Sequence, residues 1–165
     1  MNFGFEEMQK LPVLAPVDAV ATAKLTSYIN TGRVGTGPIE FEILFGNLTS
    51  SDSSGEIVVT VEANDVNDTS SSDNNEGAIA FYYQLSSAVG TDSIGAATAA
   101  TSSGVTLTQA SNDNMALYVY VDPNVAAKKY VRAVITPSGD ATATLVAASA
   151  RFIPRKAQAS MNSSS

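Results

Sequence analysis

Two alternating, β-branched runs close this chain: Lys128-Lys129-Tyr130-Val131-Arg132-Ala133-Val134-Ile135-Thr136, and Ala141 through Pro154. Between them stands Pro137-Ser138-Gly139-Asp140. Pro137 supplies the φ near −65° that a tight turn wants, and Gly139 tolerates φ > 0. The arrangement predicts a β-hairpin. The same period of two recurs upstream, so the whole chain reads as all-β.

Moving from the N-terminus, residues 1–18 read as an arm. Leu11-Pro12-Val13-Leu14-Ala15-Pro16 carries two prolines, which exclude a regular helix and a central strand, and Phe3, Phe5 and Met8 are apolar residues in want of cover. Thr22 to Ile29 is the first expected strand. Ile39, Phe41, Ile43 and Phe45 then alternate with Glu40, Glu42 and Leu44; Ile57, Val59 and Val61 alternate with Glu56, Val58, Thr60 and Glu62. Ile79, Phe81, Tyr83 and Leu85 form an inward set, with Ala80, Tyr82 and Gln84 opposite. Val89 to Gly104 reads as a loose loop and Val105 to Gln109 as a short strand. Met115, Leu117, Val119 and Val121 alternate with Ala116, Tyr118, Tyr120 and Asp122. With the closing hairpin this makes about eight strands at sandwich-like spacing and no helical period. The expected organisation is an arm over 1–18, a single antiparallel β-sandwich over 19–156, jelly-roll-like in character, and a flexible Ser-rich tail over 157–165. A chain of 165 residues buries roughly 68–70% of its unfolded surface as one domain.

The composition removes whole classes of chemistry. There is no Cys and no His, hence no disulfide, no thiolate nucleophile, no Cys-ligated zinc and no imidazole base. No apolar run is long enough for a transmembrane helix, and Glu6 and Glu7 stand where a signal peptide needs basic residues. The expectation is therefore no membrane partner and a protein that remains in the cytoplasm where it is made, or assembles there. A net charge of −7 argues against nucleic acid, which requires clustered Lys and Arg. The distribution is uneven. Val34 to Ala127 holds twelve of the sixteen acidic residues and no base, whereas six of the nine basic residues follow Ala127. That pattern suggests either mere solvation or an acidic body with a basic end that docks on a partner.

Four candidate sites are weak. Gly32, Gly35 and Gly37 imitate a dinucleotide loop, but Pro38 and a strand follow where a helix is needed, so they read as a turn. Glu40 and Glu42 share one strand face, roughly 6.6–6.8 Å apart, the arrangement paired-carboxylate glycoside hydrolysis would use; a solvated face is the plainer reading. Asp65, Asn67 and Glu76 fit positions 1, 3 and 12 of a calcium loop, with Ser70 where Gly is needed; a looser set is Asp65, Asp68 and Asp73. Asn47-Leu48-Thr49 and Asn67-Asp68-Thr69 are glycosylation sequons that carry little weight without a signal peptide. No catalytic, cofactor or metal residue is assigned. The uncharged second face, with Tyr82, Tyr118 and Tyr120 and with Ala148, Ala150 and Phe152, suggests either cover within the monomer or homo-oligomerisation.

Phe5-Glu6-Glu7-Met8-Gln9-Lys10-Leu11-Pro12-Val13 with Ala19 to Ile29, and Tyr130-Val131-Arg132-Ala133-Val134 with Ala141 to Arg155, give the chain its resemblance to the head-decoration (capsid cement) proteins of tailed bacteriophages. The resemblance implies a jelly-roll-like sandwich on the outside of a virion, often trimeric, which binds the major capsid protein and resists the pressure of packaged DNA. It implies no enzyme activity and no cofactor. Other expectations are a different virion part, such as a tail or fibre subunit, and a calcium-dependent carbohydrate-binding sandwich.

Overall fold

The computed structural model describes residues 8–19, 22–35, 37–50, 56–67, 77–86, 93–108, 114–124, 126–138 and 141–155. Gly139, Asp140 and the whole Ser-rich tail lie outside them. The strands are β1 (Gln9–Asp18), β2 (Lys24–Leu25), β3 (Ile29–Asn30), β4 (Ile39–Phe45), β5 (Thr49–Ser50), β6 (Glu56–Asn64), β7 (Gly77–Ile79), β8 (Phe81–Leu85), β9 (Thr98–Ala100), β10 (Val105–Thr108), β11 (Ala116–Val121), β12 (Tyr130–Ser138), β13 (Ala141–Ala143) and β14 (Leu145–Phe152).

Two antiparallel sheets carry the fold. The first runs β1-β14-β4-β11-β8-β9 and the second β10-β6-β12-β2, with β3 also on β12 and β7 also on β6. If β2 and β3 are counted as one interrupted strand, the pairing has a simple rule. β1 pairs β14, β2/β3 pairs β12, β4 pairs β11 and β6 pairs β10. First meets last, second meets seventh, third meets sixth and fourth meets fifth. This is a long antiparallel ribbon rolled over itself, the jelly-roll form of the sandwich. β7, β8 and β9 are inserted between the fourth and fifth members, and β8 and β9 extend the first sheet beyond β11. The interruption between β2 and β3 is a bulge. Leu25 to Ile29 takes four steps where Val134 to Val131 takes three. Buried Thr26 fills the irregularity, its Oγ1 accepting from Ala133 N at 3.0 Å.

The core follows from the alternation. Ile39, Phe41, Ile43, Leu117, Val119 and Val121 face Ile57, Val59, Val61, Leu107, Val131 and Ile135 across the sandwich, all essentially inaccessible. Each such side chain contributes on the order of 1.5–3 kcal/mol by leaving water.

Five expectations require correction. The closing runs are not a hairpin: β12 pairs within the second sheet and β14 within the first, so the segment after Pro137 carries the chain from one layer to the other. Pro137 lies within β12 opposite Ile57, and β2 pairs β12 only at Val134 and Ile135, so the missing N–H breaks no bond on that side. Residues 9–18, expected as an arm, are an edge strand. The prolines exclude a central position but not an edge, and the ladder absorbs them by register shifts between Pro12 and Leu14 and between Leu14 and Val17. Ala148, Ala150 and Phe152 face the core, while Ala147, Ser149 and Arg151 face outward. Finally, Ile79 and Phe81 belong to different sheets, the chain crossing at Ala80, and the expected loop 89–104 contains β9.

Candidate functional site

The outer face of the first sheet is the most developed surface of the molecule. Pairing places Lys10, Arg151, Glu40, Tyr120, Tyr82 and Ala99 in one row across it, from β1 to β9. A second row holds Pro12, Ser149, Glu42, Tyr118 and Gln84. Glu40 and Glu42 point outward because Ile39, Phe41 and Ile43 point in.

The charges on this face satisfy one another. Lys10 Nζ donates to Glu42 Oε2 at 2.8 Å, and Ser149 Oγ donates to the same oxygen at 3.1 Å. Arg151 donates to Glu40 Oε1 through Nε, at 3.0 Å, and through Nη2. Tyr120 Oη donates to Gln84 Oε1 at 2.8 Å, and Gln84 Nε2 donates to the carbonyl of Gly95 at 3.0 Å. The electrostatic consequences follow. The Lys10 hydrogen bond holds the Glu42 carboxyl below its ordinary range, against the opposing effect of burial. Burial, reinforced by the Glu40 charge, raises the Tyr120 phenol, and the hydrogen bond to Glu40 raises Arg151. A glycosidase acid needs a carboxyl pushed up so that it keeps its proton. Glu42 is pushed the other way.

Beside these rows lies a groove of about 580 Å³ lined by Lys10, Pro12, Leu14, Ala15, Pro16, Glu42, Leu44, Ala147, Ala148 and Ser149. Its apolar wall is β1 and its floor is the start of β14 and the end of β4. Leu44 is half exposed there, with Leu145 also exposed at the same end of the sheet. No sequence signal marked this groove, because it depends on β1 being a strand.

The other candidates fare as follows. Gly32 and Gly35 belong to the connection around the 3₁₀ turn Thr31–Arg33, capped by Asn30, whose side chain accepts from Gly32 N at 2.9 Å; β4 follows. Gly35 lies close to the chain after β14: a Cβ there would stand 3.0 Å from the Pro154 carbonyl oxygen, so that backbone would have to give by a few tenths of an ångström. Of the acidic loop, Asp65 is paired with Lys128 Nζ at 2.6 Å, and Asp68, Asp73 and Glu76 lie outside the described residues. Among the described residues no group of three potential metal ligands gathers, and no helix is long and apolar enough to cross a membrane.

Half of the basic end is paired within the molecule, while Lys129 and Arg155 stay exposed. Arg132 is 2% exposed, donates through Nε to Glu62 at 2.9 Å, and lies 4.6 Å from the Tyr28 ring centre. Lys128, Arg132 and Arg151 therefore neutralise Asp65, Glu62 and Glu40, and the sequence asymmetry becomes cross-strand pairing. No family model, curated protein or solved structure matches this chain.

Proposed function

We propose that this chain is a non-enzymatic virion structural protein that binds the outside of a bacteriophage capsid lattice, with the major capsid protein as partner, and stabilises the assembled shell. One observation carries the reading: the outer face of the first sheet combines an apolar groove with charges already neutralised in pairs. Such a surface offers shape and apolar area to another protein while presenting no aligned, free catalytic group. The jelly roll supports the reading only generally, since capsid, lectin and cupin domains share it. The chain's lack of His and Cys fits a passive part. Stabilisation would come from spanning neighbouring capsid subunits, so that burial of the groove is possible only on the assembled lattice.

The test is co-sedimentation of purified protein with expanded heads that lack it, with isolated capsid subunits as comparison. Binding to heads and not to subunits is expected. Leu44→Arg, at an exposed position in the groove, should weaken binding at least tenfold without lowering the melting temperature by more than about 2 °C. Absence of binding to heads, or equal binding to free subunits, sinks the proposal.

A further inference from the structure

The two open sides of the sandwich treat their strand edges differently. On one side lie β1 and β2. β1 carries Pro12, Pro16 and two register shifts, with Lys10 near its start, and β2 has two residues and begins at Lys24. Missing donors, bulges, shortness and edge lysines are the devices that keep a sheet edge from pairing with another chain. On the other side lie β9 and β10, joined by a turn ending at Gly104, with β7 following β10 along the same edge of β6. From Ser93 to Thr108 the sequence has no proline and no charged residue, and the ladder between β8 and β9 runs without a shift. Beside this edge stand two large, exposed apolar side chains, Tyr82 at 60% and Ile94 at 56%.

We propose that the edge of β9 away from β8, which no described strand pairs, forms an antiparallel pair with β9 of a second copy of this chain across a two-fold axis, joining two six-stranded sheets into one continuous sheet. The occupant follows from charge. A chain of net charge −7 repels its own copies over most of its surface, and the long uncharged segment is where two copies meet without opposing like charges. Two-fold pairing also sets residues near the axis against their own counterparts, which requires that they be uncharged. Thr98, Ala99 and Ala100 meet that requirement. Tyr82, directly across from Ala99, and Ile94 then lie beside the new pair and lose solvent. The groove lies at the opposite end of the same sheet, along β1, and stays open in such a dimer.

Sedimentation velocity on the full chain at micromolar concentration tests this. The expected mass is twice the 17.1 kDa of one chain. Ala97→Lys with Ala99→Lys, both at exposed positions, should give the single-chain mass with an unchanged circular dichroism spectrum. Should that double variant misfold, Ile94→Glu, outside the strand, decides; it should weaken the dimer at least tenfold. A monomeric or trimeric wild type overturns the proposal, as does a folded double variant, or Ile94→Glu, that remains as dimeric as wild type. The proposal stands apart from capsid binding: a monomer that binds heads refutes only the pairing, and a dimer that ignores heads refutes only the capsid reading.

Discussion

Arg132 lies on the outer side of β12, yet it is among the most completely buried large side chains described. Its guanidinium is tolerated because Glu62 neutralises it from the neighbouring strand and Tyr28 covers its face. Removing one partner strands the other charge. Glu62→Gln should cost about 3 kcal/mol in denaturant unfolding, the low end for a buried pair because Glu62 retains some exposure. Arg132→Met with Glu62→Leu should cost much less than the two single changes together, and additive losses would disprove the coupling. Glu42 offers a gentler case. Its carboxyl titrates lower in the folded chain than in the unfolded one, so its contribution is complete above the ordinary carboxylate range and is lost as pH falls through the depressed folded value. Lys10 is largely exposed, so Lys10→Met should cost only about 0.2–1 kcal/mol at neutral pH. That difference from wild type should vanish only once the pH has fallen below the depressed folded value of Glu42, where the carboxyl is protonated in both proteins. Urea unfolding at several pH values checks it. In the sequence these charges showed as an acidic middle, a basic end and two carboxylates on one strand face. Composition cannot indicate that a strand from one end of the chain lies against a strand from the middle.

Strand existence was legible where alternation was strong, as in β4, β6, β11 and β12, because one face of each is buried. What pairs with what was not legible. A proline-glycine turn between two alternating runs fits a hairpin and also fits a crossing between layers, and local residues do not distinguish them. The parity of β14 is weakly marked in its middle, where Ala147, Ala148, Ser149 and Ala150 put small residues on both faces. β1 is not legible in the sequence because its prolines hide a strand that only an edge can accommodate. Its place in the sheet makes a clear prediction. Val13 is buried against the core, so Val13→Ala should cost roughly 2 kcal/mol, whereas a free arm would tolerate it without effect. A second prediction belongs to the turn between β9 and β10. Gly104 adopts φ +85°, and a Cβ would stand 2.3 Å from the Val59 carbonyl oxygen. Gly104→Ala combines a left-handed backbone with a clash against backbone, and should cost about 2–4 kcal/mol, read as a lowered denaturation midpoint at unchanged slope.

For the whole molecule, the jelly roll explains how Lys10, Lys128, Arg132 and Arg151 come to be paired with acids of the same chain. Rolling the ribbon brings β14, from the basic end, between β1 and β4, and brings β12 beside β6, so acid and base become cross-strand neighbours. The consequence reaches the proposed capsid contact. Were a basic end docking on an acidic lattice, binding would weaken steeply with salt, because exposed charges are screened beyond about 8–10 Å at physiological ionic strength. A face whose Lys10 and Arg151 are already paired with Glu42 and Glu40 carries almost no net field, and its groove binds through apolar area. Affinity for expanded heads should therefore change by less than about threefold between 50 and 500 mM sodium chloride, with a negative heat-capacity change on binding. Quantitative co-sedimentation across that range, with calorimetry at three temperatures, decides the matter: a loss of affinity greater than tenfold would move the contact from the groove to the exposed cations Arg33, Lys129 and Arg155.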